Sequence, residues 1–158
     1  MVYFSRATLR FDGACQPNPG EGGGGYVIFN DKNGNNIITG RTYIGWEYEG
    51  WNCTNNIAEY LGLIAALDRL SSSNHQIGHL TIEGDSEIVI KQMDGEYNVN
   101  SDQLRPLWHR ARDAINYCLN DGTFSSYSFQ HVYRQYNEDA DELARDAIRD
   151  GNWSCDYY

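Results

Sequence analysis

The sequence predicts an α/β fold in which one mixed sheet is flanked by helices. Three observations lead there. Three consecutive β-type runs open the chain, four later segments carry helical periodicity or helix caps, and two further β-type runs alternate with those helices.

The opening strand is the alternation ending in Leu9, Arg10, Phe11 and Asp12, with Leu9 and Phe11 on one face and Arg10 and Asp12 on the other. A glycine-rich turn, including four glycines at 22–25, leads to β-type runs over 24–30 and 36–46, parted by Asp31-Lys32-Asn33-Gly34-Asn35. Residues 47–52 read as a loop. Thr54-Asn55-Asn56 are good caps, and Ile57, Tyr60, Leu61, Ile64, Leu67 and Leu70 repeat at helical spacing, which predicts an amphipathic helix over 55–71. A short strand over 80–82 follows, and after it Gly84-Asp85-Ser86 cap a short helix that runs to about Met93. Leu104, Leu107, Trp108, Ala111, Ala114, Ile115 and Cys118 give the apolar side of a helix over 102–119. Residues 123–134 form the last strand. The final helix carries Ala140, Leu143, Ala144, Ala147 and Ile148 and stops at Gly151. A strand reached through a helix should lie parallel to the first by a right-handed crossover, and strand ends in such sheets commonly host the site.

At 158 residues the chain fits one domain, taken as 1–151 with a tail over 152–158. With 41% apolar residues and 12 tyrosines it is not a disordered chain. No apolar run approaches the roughly 18 residues of a membrane span, and the start lacks a signal peptide's pattern. A cytoplasmic protein with no membrane partner, working as a monomer, is expected. Cys15, Cys53, Cys118 and Cys155 form no Cys-x-x-Cys pair and have no His at zinc spacing, which disfavours structural zinc. The net charge of −10 argues against nucleic acid, whose phosphates bind Lys and Arg. That objection weakens if several acids hold divalent cations.

Four acids stand where such a role is feasible. Asp12 ends the opening strand, Glu59 lies one turn into its helix, Asp85 follows a strand, and Asp141 sits in the first turns of the last helix. Each has a plainer alternative: a turn residue, a solvated surface acid, a helix N-cap, and a partner of the helix dipole. Grouped carboxylates without Cys or His suit hard ions such as Mg²⁺ or Mn²⁺. Two such ions about 4 Å apart activate water and stabilise a leaving oxygen in phosphodiester hydrolysis.

Four ordered blocks, Phe-Asp-Gly-Ala-Cys-Gln-Pro-Asn-Pro-Gly from Phe11, Thr-Asn-Asn-Ile-Ala-Glu-Tyr from Thr54, Gly-Asp-Ser from Gly84, and His131 through Ala144, resemble the type 1 ribonuclease H family over nearly the whole chain. The resemblance implies a ribonuclease H-like fold with a five-stranded mixed sheet. It also implies cleavage of the RNA strand of an RNA/DNA hybrid with two Mg²⁺ ions, Mn²⁺ as a substitute, and 5′-phosphate and 3′-hydroxyl products. Asp12 would bridge both ions, Asp141 would complete the first-ion site, and Glu59 and Asp85 would hold the second. Cys15, Asn18, Thr54, Asn55, Asn56 and Asn137 would serve substrate binding.

Departures from the family pattern are equally specific. The Gly-rich loop with a catalytic His is replaced by Val132-Tyr133-Arg134-Gln135-Tyr136-Asn137, which leaves Arg134 to approach the scissile phosphate; His131 reads as structural. The basic handle is missing, with Lys91 the only basic residue between Asp85 and Leu104, so weak, salt-sensitive binding is expected. The alternatives are a nuclease of the same fold acting on double-stranded RNA, and a non-catalytic hybrid-binding module.

Overall fold

The computed structural model describes residues 2–158. Tyr3–Gln16 (β1), Glu21–Asn30 (β2) and Asn36–Gly45 (β3) form an antiparallel meander. Glu47–Tyr48 (β4) and Trp51–Asn52 (β5) make a small hairpin where a plain loop was expected. Helix α1 (Asn55–Ser72) then crosses to Gln76–Gly84 (β6), which lies parallel to β1 with Leu9 opposite Ile82. Next come α2 (Glu87–Met93), α3 (Arg105–Asp121) and Phe124–His131 (β7), the last parallel to β6. A 3₁₀ turn at Arg134–Tyr136 leads into α4 (Glu138–Asp150), and Ser154–Tyr157 (β8) closes the chain.

Among the described residues the sheet has six strands in the order β7-β6-β1-β2-β3-β8, so the five-stranded expectation is one short. The added strand is the tail, whose alternation of Ser154, Cys155, Asp156 and Tyr157 is too short to stand out, and it pairs antiparallel with β3 from Ile38 opposite Tyr157 to Arg41 opposite Ser154. Truncating the chain after Asn152 should lower the melting temperature by roughly 4–8 °C, reflecting about 2 kcal/mol. The cause is the reopened edge of β3 and the loss of the Arg69 guanidinium stacked 4.4 Å from the Trp153 ring. An unchanged thermal melt by circular dichroism would show that β8 adds nothing.

Residues 22–25 are not in a turn. They lie inside β2, buried, because helices close in on both faces. A Cβ at Gly25 would strike the α4 backbone at Ala140, whereas one at Gly24 would stand 2.8 Å from Gly62 of α1. Successive residues of a strand face opposite ways, so α1 and α4 cover opposite faces. Between them lie Leu9, Phe11, Ile28, Leu63, Leu67, Leu80 and Ile82, all fully buried. Burial on this scale is the dominant stabilising term.

Candidate metal centre

The pairing of β1 with β6 ends at Phe11 opposite Gly84, so Asp12 is the next residue of β1 and Asp85 the first past the end of its parallel neighbour β6. Asp12 accepts a hydrogen bond from the Gly13 amide at 2.9 Å. Asp85 is spared from capping α2 because Ser86 does so, its hydroxyl accepting from the Val89 amide at 3.3 Å. Glu59 is 6% exposed and Asp12 5%, so the reading of Glu59 as a solvated surface acid fails. Thr54 caps α1, with its hydroxyl accepting from the Ile57 amide, and the helix lies directly on β1 where Gly13 carries no side chain.

Asp12, Glu59 and Asp85 each offer a carboxylate oxygen, all within 4.8 Å of one another. Asp141 lines the same cleft of about 420 Å³ but stands at its rim, where Arg145 donates to its carboxylate at 2.6 Å. Arg134 and Arg145 both border this cleft. Arg145 was not foreseen, although its position four residues after Asp141 is the spacing of a helical ion pair.

The first three acids repel and are poorly hydrated. Burial, with help from the charge of Asp85, pushes the Asp12 carboxyl up to about 7. Burial and then Asp12 push Glu59 well above the carboxylate range. Burial raises Asp85 as well, against the opposing pull of Asn137 and Arg134. One oxygen each of Glu59 and Asp85, Oε2 and Oδ2, is buried with no hydrogen-bond partner. A cluster of hard oxygens that resists ionisation and keeps bare lone pairs fits a divalent cation, which would satisfy both the charge and the coordination. Asp12, Glu59 and Asp85 would hold it, with Asp141 at hand beside them.

Around the cleft, the Cys15 amide donates to Asn55 Oδ1 at 2.9 Å and the Asn55 amide donates to Asn18 Oδ1 at 3.1 Å. Cys15, Asn55 and Asn56 line the cleft wall. Asn137, expected on the substrate rim, is instead buried at 1% exposure. Its Nδ2 donates to the Phe11 carbonyl at 2.9 Å, which fastens the start of α4 to β1 beside Asp12. His131 Nε2 donates to the Asp85 carbonyl at 3.2 Å, a structural tie.

The family described as reverse transcriptase-like matches residues 10–147. The chain is 36% identical over 145 residues to a protein of Halobacterium salinarum named Ribonuclease HI, covering 92% of this chain and 65% of that one. It is 30% identical to a bifunctional protein of Mycobacterium tuberculosis, of which it spans only 35%. The crystal structure of RNase H1 from Halobacterium salinarum superposes with a TM-score of 0.78 at 35% identity, covering 92% of this chain and 99% of that one. LC11-RNase H1, solved in complex with RNA/DNA hybrid, superposes at 0.77 with 31% identity and covers 92% of this chain and 98% of its own. With the matching fold, the ordered blocks and the carboxylate cluster in place, the chain belongs to the type 1 ribonuclease H family.

Proposed function

We propose that this chain is an endonuclease that hydrolyses the RNA strand of RNA/DNA hybrids with two Mg²⁺ ions, leaving 5′-phosphate and 3′-hydroxyl ends. The observation that carries the reading is the convergence of Asp12, Glu59 and Asp85 within 4.8 Å, two of them with bare buried oxygens. A pair of bound ions supplies an activated water and stabilises the attacking and leaving oxygens. Asp12 would contribute to both ion sites, Glu59 and Asp85 to one and Asp141, now paired with Arg145, to the other.

Arg134 borders the cleft and carries the positive charge that meets the scissile phosphate. Cys15, Asn18, Thr54, Asn55 and Asn56 form the rim against the minor groove, where 2′-hydroxyls distinguish RNA from DNA. Asn137 acts from behind by holding α4 to β1. The protein works as a monomer in the cytoplasm, and its four cysteines are free.

Labelled RNA/DNA hybrid, double-stranded RNA, single-stranded RNA and duplex DNA, each incubated with Mg²⁺, Mn²⁺ or chelator, test the reading. Cleavage confined to the RNA of the hybrid and abolished by chelator is the expected result. KM should rise with salt, with a shallow slope because few protein cations face the substrate. Faster cutting of double-stranded RNA would move the assignment to that substrate, and binding without cleavage would reduce the chain to a hybrid-binding module.

A further inference from the structure

We propose that Cys15 and Cys53 form a modification site, a dithiol pair that a small-molecule disulfide such as oxidised glutathione converts to an internal disulfide clamping the rim of the cleft. The two sulfurs lie 3.0 Å apart although 38 positions separate the residues. A disulfide needs about 2.05 Å, so closing the bond takes a shift of roughly 1 Å. Both cysteines are held by backbone contacts rather than carried on loose loops. Cys15 pairs with Gly22 across β1 and β2. The Cys53 amide donates to the Trp46 carbonyl at 3.0 Å, and the Cys53 carbonyl accepts from the Gly20 amide at 2.9 Å.

Gly22 makes the space in which the sulfurs meet. A Cβ there would collide with Cys53 Sγ and stand 3.2 Å from Cys15 Sγ. The remaining thiols are engaged elsewhere: Cys118 Sγ donates to the Leu67 carbonyl, and Cys155 lies in β8 at the sheet edge. Access fixes the order of events. Both sulfurs are buried, but Cys15 belongs to the cleft lining and keeps 7% exposure against none for Cys53, so Cys15 meets an incoming reagent first. Its proton passes to Cys53, whose thiol the hydrogen bond between them holds below its ordinary value.

The Cys15 thiolate displaces one glutathione thiolate and forms a mixed disulfide; the Cys53 thiolate then attacks the Cys15 sulfur and expels the second glutathione thiolate. The two thiol protons of the protein end on the two glutathiones. The chain has lost two electrons and the reagent has gained them. The new bond joins the end of β1 to the entry of α1, which the Cys15 amide already grips through Asn55. It closes a long loop and so restricts the unfolded chain.

The test uses the full chain incubated with oxidised glutathione or with dithiothreitol, and it is independent of any assay of cleavage. Thiols titrated in denaturant should fall from four to two, intact mass should fall by about 2 Da, and a peptide map should join Cys15 to Cys53. The melting temperature should rise by roughly 10 °C and return on reduction. A Cys118→Ser, Cys155→Ser variant should behave identically, and Cys53→Ser should lose both the link and the rise. Four titratable thiols after oxidation, a lasting glutathione adduct on the wild-type chain, or a link through Cys118 or Cys155 would each overturn the proposal.

Discussion

Asp12→Asn removes hybrid cleavage by at least about 10³-fold while making the cation-free protein more stable above pH 7. Asparagine keeps an oxygen for the Gly13 amide and supplies an Nδ2 donor toward the partnerless oxygen of Glu59, but it offers the cations no charge. The stability effect follows from the raised carboxyl. Its folded value of about 7 exceeds the ordinary aspartate value of 3.8, so the folded state binds the proton more tightly than the unfolded one. The contribution of Asp12 is therefore complete below about pH 4 and drains away as pH rises through 7. Wild-type protein in chelator should lose about 4 kcal/mol through Asp12 over that window, while the Asn variant loses less, since only buried Glu59 and Asp85 still titrate there. Mg²⁺ should restore the wild type at pH 8 and leave the variant unmoved. Thermal melts at pH 5 and pH 8, with and without Mg²⁺, check all of this, and a wild-type melt independent of pH would refute the buried like-charge cluster.

Gly13→Ala should be severely damaging for a single-methyl change. The added carbon would overlap the Ala58 carbonyl and the Glu59 amide, backbone groups of a buried helix with no flexible end to yield. Overpacking of this kind costs typically 1–3 kcal/mol, and against rigid backbone we expect more than about 4 kcal/mol, seen as a melting temperature lowered by over 10 °C or as insoluble protein. Gly34→Ala is the control. Nothing stands within 4 Å of its Cβ and only its φ of 73° resists, so about 1 kcal/mol is expected. Equal losses in the two variants would show that α1 is not seated on β1.

Much of this architecture is legible in sequence, because the long helices carry clear apolar stripes and the short local patterns around Asp12, Thr54, Asp85 and Asp141 mark element ends. The misplaced features share a cause. Glu59 looks solvent-facing on a helical wheel built from large residues, yet α1 presents a second face through Ala58, Gly62 and Ala66, which pass for neutral positions. The glycines at 22–25 look like a turn until two helices are laid on them. Asn137 is marked for substrate binding by the family pattern, but its side chain bonds to Phe11, 126 positions earlier, a contact no local window contains. Asp141 is placed correctly on its helix, whereas its preference for Arg145 over the other three acids depends on the positions of side chains in space.

Strand β1 runs through the middle of the sheet, stitched to β6 as far as Phe11 and to β2 beyond Asp12. Such a beam does not flex to suit its cargo. An ion seated against Asp12 would have to match a fixed wall, with adjustment left to the outlying ligands, so a small ion with a compact shell should support cleavage where a larger, looser one such as Ca²⁺ does not. Stiffness at the centre of the fold would then act as a ruler for ionic radius.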